Sequence, residues 1–508
     1  MPPQRPARRA ATSVALLIPI AILSAFGSRT VADDPKGPFE PTWESLEKNY
    51  TTPHWFLDGK FGIFIHWGLY SIPAHRSEWY AKHMYNDAEI SRWHTEHYGP
   101  PDTFGYKDFI PLFKAEHYDP YAWAELFKKS GARYVVPVAE HHDGFAMYDS
   151  ALTRWNAKNM GPKRDLIGEL AGTVRKHGLI FGLSYHRMEH HTFMYPAANI
   201  KSDQFDPAYA DFYGPPIPGD MDDANAPLAF QEDWLARCKE LVDKYRPQLV
   251  YFDNGVNQRA YDPVKLRFAA YFYNRAHEWR QDVSINTKDA AYLAGSIRDY
   301  EKDTRGPSSL LPGGAPYQID DVISDRSWGY VSDMTYRGVD SIINELVDTV
   351  SKNGNLMLNV SPMGDGSIPG PQQEILIEIG GWLATNGEAI YGTRPWTRFG
   401  EGPSYAAQLA GANPHEAART PPTGSDYRFT TKGNALFAIA LAWPGEHAII
   451  TALAKGKAPA GMIRSVHLLG SHAALAFSQD ANGLTITLPV ERVGTHAFVF
   501  RIEGLQLK

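Results

Sequence analysis

Between Phe61 and Pro395, short apolar and β-branched runs alternate with longer stretches whose apolar residues recur every three to four positions. The short runs predict strands over Phe61–Ile65, Tyr134–Val138, Leu179–Ser184, Leu249–Phe252, Val283–Asn286 and Leu356–Val360. The longer stretches predict helices over Tyr121–Ser130, Arg164–His177, Gln231–Tyr245, Val264–Trp279, Ser341–Lys352 and Gln372–Asn386. Strand and helix repeated this often imply a parallel sheet, open or closed into a barrel. Polar and aromatic residues follow the strands directly: His66-Trp67, Glu140-His141-His142, Tyr185-His186 and Asp253. That suits a (β/α)8-like barrel, whose site is assembled from strand ends around one rim. An open sheet would gather its ligands at one switch point, and no Gly-rich phosphate loop follows any of these strands.

Past Trp396 the texture changes. Residues 397–425 read as loop, rich in Gly, Pro, Ala and Ser. Short strand patterns follow at Asn434–Leu441, His447–Leu453, Ile463–Leu468, Leu484–Leu488 and His496–Ile502, divided by turn residues such as Trp443-Pro444-Gly445 and Asn482-Gly483. They predict a C-terminal antiparallel β-sandwich of roughly 100 residues. The opening segment is different again. Arg5, Arg8 and Arg9 form a basic head, Val14 to Phe26 an apolar middle and Thr30-Val31-Ala32 a small-residue cleavage site, the order of an export signal. The expected organisation is therefore a signal peptide at 1–32, a barrel at 33–396 and a sandwich at 397–508, in a secreted or periplasmic protein with no membrane attachment after cleavage.

Composition narrows the chemistry. The formal charge of −7 over 508 residues argues against nucleic acid as a partner, and loss of the arginine-rich leader makes the mature chain more acidic still. The single cysteine, Cys238, excludes an intramolecular disulfide and any multi-cysteine metal site. Aromatic residues make up 13% of the chain, and their faces pack against the C–H faces of sugars as well as filling cores.

Four clusters carry candidate chemistry. The run FGIFIHWG ends a buried strand at His66, with Glu78-Trp79 in the loop beyond; each of these residues alone would read as core packing. Glu140-His141-His142-Asp143 closes the next strand. Adjacent histidines in extended backbone point to opposite sides and the HExxH spacing is absent, so hydrogen bonding to a polyhydroxyl ligand is a more natural use than metal ligation. Asp253 ends the apolar strand Leu249-Val250-Tyr251-Phe252, where a desolvated carboxylate must be paired, protonated or functional; a turn-capping aspartate beside Asn254-Gly255 is the bland alternative. Arg298-Asp299-Tyr300-Glu301-Lys302-Asp303 supplies further carboxyls, unless it is a solvated charge run. Two carboxyls facing each other across a polar, aromatic pocket are the minimum equipment for glycoside hydrolysis.

The segments FGIFIHWG, SEWY, HHDGF, the strand ending in Asp253, SWGY at 327–330, NGNLMLNVSPMGDG at 353–366 and AIYGTRPW at 389–396 occur in the same order as in family 29 glycoside hydrolases, the retaining α-L-fucosidases, which the chain resembles from about residue 40 to 396. The resemblance implies a barrel followed by a sandwich, no metal or other cofactor, and exo-acting removal of terminal α-L-fucose from an oligosaccharide or glycoconjugate by double displacement. It implies Asp253 as nucleophile, with His66, Glu78, Trp79, His141, His142 and Tyr185 as the fucose-binding set. Tyr251 stands beside the nucleophile where many relatives have Trp, and Lys288 where some have Arg. Glu301, in its DYE segment, is the expected acid/base, with Asp299, Asp303 and Asp320 as alternatives. An exo-glycosidase for a fucose-like sugar and a sugar-binding protein on a degenerate barrel are the competing readings, and the sequence leaves room for a homo-oligomer.

Overall fold

The computed structural model describes residues 34–194, 200–214, 226–288, 290–302, 314–410 and 421–507. The expected signal peptide lies outside the described residues. Eight parallel strands close into a barrel in chain order: β1 (Phe61–Ile65), β2 (Tyr134–Glu140), β3 (Ile180–Tyr185), β4 (Leu249–Phe252), β5 (Ser284–Lys288), β6 (Ile297–Asp299), β7 (Tyr317–Val322) and β8 (Gly354–Val360), with β8 pairing back onto β1. Helices Pro120–Lys129, Leu166–Lys176, Leu228–Tyr245, Asp262–Trp279 and Val339–Ser351 connect them, and Gly370–Asn386 follows β8. They start where capping chemistry allows. Asp119 accepts from the amides of Tyr121 and Ala122 ahead of Pro120, and Asp165 accepts from Gly168. Strands β6 and β7 escaped the sequence reading; among the described residues neither β5–β6 nor β6–β7 is linked by a helix.

Side chains alternate along each strand, and the two faces do different work. Outward residues such as Ile63, Val135, Phe181, Val250, Ile285, Ile319 and Leu358 pack in the shell between sheet and helices. Inward residues Phe64, Tyr134, Val136, Val138, Leu249, Tyr251, Ile297 and Met357 form a separate apolar plug inside the barrel. A Cβ on Gly62 would lie 2.2 Å from the Tyr134 ring, so only glycine lets that ring lie across the barrel interior. Inward Asn286, Asp299, Gln318 and Asp320 of β5 to β7 are polar instead, and they are satisfied within the barrel. Asn286 donates to Gln318 Oε1 (3.0 Å), Gln318 donates to Asp299 Oδ2 (2.7 Å), and the Tyr251 hydroxyl donates to Asp320 Oδ2 (3.0 Å).

The C-terminal part is built from two antiparallel sheets. Strands β9 (Arg394–Glu401), β10 (Tyr427–Lys432), β11 (Ala435–Ala440), β13 (Gly461–Leu468) and β16 (Phe498–Leu505) form one, in the order β13-β16-β11-β10-β9. Strands β12 (His447–Ile450), β14 (Phe477–Gln479) and β15 (Leu484–Thr487) form the other. The expected loop at 397–425 is instead the second half of β9 followed by the helix Pro403–Leu409, with 411–420 outside the described residues. Leu436, Ala438 and Ala440 of β11 face the small sheet, while Phe437 and Ile439 join the barrel's core. This strand is buried on both sides, which is why ALFAIA is uniformly apolar. Arg428 seals the junction by pairing with Asp348 on the helix Val339–Ser351.

Candidate active site

Carrying the inward period of two past the strand ends builds the site. From Gly62 and Phe64 it reaches His66; from Ser184, His186; from Leu249 and Tyr251, Asp253; from Ser284 and Asn286, Lys288; from Ile297 and Asp299, Glu301. These five residues, with Phe64, Glu78, Trp79, His141, Asn254, Asp320 and Trp328, line a cavity of about 220 Å³ at the C-terminal rim.

Asp253 is the centre of it. Its side chain is 9% exposed, and Oδ2 lies 3.2 Å from His142 Nε2 and 3.1 Å from His186 Nδ1 while Oδ1 meets the Lys288 ammonium. Burial works to raise its pKa, but the Lys288 charge, His186 and the two imidazole hydrogen bonds together outweigh it and hold the carboxyl well below its ordinary range. The same ammonium lies 2.8 Å from Glu301 Oε2. Two carboxylates in contact with one nitrogen have their nearest oxygens at most about 6 Å apart, which spans the separation of a retaining pair. The Glu301 side chain is 35% exposed, so it stands at the mouth rather than the floor, and its Oε1 accepts from Trp328 Nε1 (3.1 Å). Tyr300 turns outward against Tyr317 and Arg298, so the ring that shields Glu301 is Trp328 and not its sequence neighbour.

The histidines have assignable protons. His66 Nδ1 lies 2.7 Å from Asn359 Oδ1, and Asn359 spends its amide donor on the Trp328 carbonyl, so Nδ1 of His66 carries the hydrogen. Burial depresses the pKa of His66 strongly, leaving a neutral ring with an Nε2 lone pair. His186 faces Asp253 with Nδ1 and meets Ser184 Oγ with Nε2 (2.6 Å); burial lowers it to about 4. His142 is the exception. Its Nδ1 faces the His186 carbonyl (2.9 Å) and its Nε2 faces both Asp253 and Glu189 (3.3 Å), so both nitrogens need hydrogens. Burial opposes the charge, yet Glu189 and Asp253 raise its pKa. His141, by contrast, keeps a buried Nδ1 with no partner at the edge of the cavity.

Glu78 orders the opposite wall. Its Oε2 accepts from Ser327 Oγ (2.8 Å), Trp328 N (3.0 Å) and Gly329 N (3.4 Å), which fixes the SWGY loop and the Trp328 ring. Of the expected sugar-binding residues, His66, Glu78, Trp79 and His141 line the cavity. His142 lies behind Asp253 rather than on the wall. Tyr185 does not line the cavity: it has the outward parity of β3 and packs in the shell near Glu140, while His186, one residue on, does line it. Tyr251 is also buried below the cavity, bonded to Asp320. Among the alternative acids, Asp299 is sealed inside the barrel, Asp320 reaches the cavity floor, and Asp303 lies outside the described residues. Trp328 lies in the SWGY segment, and His186 and Lys288 follow strand patterns, but the sequence alone did not give them these roles.

Among the described residues, two sets of possible metal-ligating atoms cluster within 4.8 Å: His66, His141 and His186, and His142, His186 and Asp253. Neither contains both adjacent histidines. In each set the nitrogens of His186 are already engaged by Asp253 and Ser184, and His142 needs hydrogens on both of its own, which suits hydrogen bonding better than ligation.

Comparison with known proteins fits this geometry. A sequence model described as alpha-L-fucosidase matches residues 28–388, and one described as the alpha-L-fucosidase C-terminal domain matches 423–503. The chain is 32% identical over 466 residues to the tissue alpha-L-fucosidase of Mus musculus, covering 89% of this chain and 90% of that one. It is 32% identical over 497 residues to the Homo sapiens tissue enzyme, covering 94% and 93%. The Thermotoga maritima alpha-fucosidase, solved with a mechanism-based inhibitor, superposes with a TM-score of 0.72 at 31% identity, over 92% of this chain and all of that one. A second structure of that enzyme, solved with fucose, gives 0.71. The chain belongs to the α-L-fucosidase family of glycoside hydrolases, family 29.

Proposed function

We propose that this cavity removes a terminal α-L-fucosyl unit from a glycan or glycoconjugate with Asp253 as nucleophile and Glu301 as acid/base. The observation that carries the reading is the placement of the two carboxyls on either side of one ammonium in a cavity of about 220 Å³, which suits a single sugar ring. Asp253, kept ionised, attacks the anomeric carbon and forms an ester. Glu301 gives its proton to the departing oxygen, then as carboxylate takes one from the water that cleaves the ester. His142 and His186 hold the attacking carboxylate by its other oxygen. The His66 lone pair accepts from a sugar hydroxyl, the unpartnered His141 nitrogen serves another, and Phe64, Trp79 and Trp328 face the apolar edge.

Asp253→Gly tests the reading. It is expected to lower turnover of an aryl α-L-fucoside by several orders of magnitude and to regain part of it when azide fills the vacated space. Near-normal turnover would pass the attack to another carboxyl. The leader implies export to the periplasm or medium, and the N-terminal sequence of the exported protein should begin near Asp33. Among the described residues no helix is long and apolar enough to cross a membrane.

A further inference from the structure

The Lys288 ammonium touches Asp253 just beyond β4 and Glu301 beyond β6 at once, and a further negative charge facing it is Asp320 on β7. Asp320 is half of a buried pair. Asp299 and Asp320 point inward from the adjacent strands β6 and β7, burial and the Asp320 charge both raise the pKa of Asp299, and their Oδ2 atoms are satisfied by Gln318 and Tyr251. The two Oδ1 atoms meet no donor from the surroundings, so a proton held between the carboxyls is what satisfies both. The pair thus carries one negative charge beneath the lysine. His186 and His142 flank Asp253 from the β3 and β2 ends, and among the described residues Lys302, over the Trp328 ring at 5.0 Å, is a further cation beside Glu301.

Double displacement never needs both reacting carboxyls ionised. Before fucosyl transfer Asp253 is anionic and Glu301 holds its proton. Afterwards Asp253 is a neutral ester, and Glu301, its proton gone to the leaving oxygen, is the anion. Water then gives its proton to Glu301 and its oxygen to the anomeric carbon, and Asp253 is an anion again.

We propose that Lys288 is a counter-ion that follows this charge, passing from Asp253 to Glu301 and back, with the proton-sharing Asp299–Asp320 pair as the fixed charge that keeps it between them. The inference rests on Asp253 and Glu301 being the reacting pair. A lysine suits the task because its ammonium is a point charge on a flexible stem, whereas a guanidinium fork would bind one geometry. Lys288 and Asp320 act here as positioning residues.

The test is the pH profile of kcat/KM on an aryl α-L-fucoside for the wild type, Glu301→Gln, Lys288→Gln, Lys288→Arg and Asp320→Asn. Loss of the alkaline limb in Glu301→Gln identifies that limb with Glu301; its persistence would overturn the acid/base assignment and this inference with it. With the limb so identified, Lys288→Gln should move both limbs to higher pH by about one unit or more, since each carboxyl loses its cation. Asp320→Asn should move the alkaline limb the other way, because Lys288 then leans on Glu301. Lys288→Arg should keep the limbs in place and lower kcat at least tenfold. Unmoved limbs in Lys288→Gln, or a shift of the same sign in Asp320→Asn, would overturn the inference while leaving the reacting pair intact.

Discussion

Glu140 is the best place to test how the barrel supports its own rim. It ends β2, is fully buried, and meets Arg187 (2.8 Å) and Arg237 (3.4 Å), while the part-exposed Asp233 joins both arginines. Two cations and two anions cancel. Glu140→Ala leaves two buried guanidiniums sharing one carboxylate, and removing one partner from a buried pair costs about 3–5 kcal/mol. At about 2.1 cal/mol/K per residue over the roughly 360 residues of the catalytic region, that lowers Tm by about 4–7 °C. Calorimetry of the intact chain reads it. The triple replacement of Glu140, Arg187 and Arg237 by methionine should recover most of the loss, because burying no charge is about as favourable as burying a matched set. Turnover should stay low in both variants, since Arg187 adjoins His186 and Glu140 adjoins His141. A Glu140→Ala protein melting within about 1 °C of wild type, or a triple variant melting lower than the single one, would refute the reasoning.

Two further outcomes are expected. EDTA should leave turnover unchanged, as the cavity nitrogens are engaged in hydrogen bonds; loss of activity restored by a divalent ion would make the clustered histidines ligands. Burial raises Asp320 to about 6 and raises Asp299 as well, so the pair's contribution is fully present at low pH and fades as pH rises through about 6, opposite in sign to Asp253, whose stabilisation is lost only as pH falls below the ordinary carboxylate range. Asp320→Asn should therefore gain Tm relative to wild type on going from pH 5 to pH 8, and a constant difference would show that the pair holds no extra proton.

Most of the barrel was legible because β1, β2, β4 and β8 face an apolar plug on one side and a helix shell on the other, which makes them nearly continuous apolar runs, and β3 and β5 keep apolar outward residues. Strand β7 was not, since its inward residues are Gln318 and Asp320 and its signal is Tyr317-Gln318-Ile319-Asp320-Asp321-Val322, a pattern that burial alone would forbid. Only the network with Asn286, Asp299 and Tyr251 makes that polarity affordable, and its members are contributed by four different strands. Strand β6 spans three residues, too few for any periodicity to register. Strand β9 opens with the Pro395-Trp396 dipeptide and ends in Gly400-Glu401, so its composition is that of a loop, yet pairing with β10 makes it a sheet edge.

The site residues divide the same way. Asp253 could be found from sequence because a lone carboxylate after four apolar residues has little reason to be there otherwise. Tyr185 and His186 could not be told apart by type, for both are aromatic, polar and at a strand end; only strand parity separates them. Val250 and Phe252 face the shell while Tyr251 and Asp253 face the axis, and in β3 the same rule sends Leu183 and Tyr185 outward and Ser184 and His186 inward. Applied to β5, it turns Lys288 from a substitute of uncertain worth into the inward residue of its strand end, level with Asp253. Register is what converts residue types into a site. Once β4 and β5 pair Tyr251 with Asn286 and Phe252 with Thr287, the next step along both strands sets a carboxylate beside an ammonium, and the chemistry of the pocket follows from that adjacency.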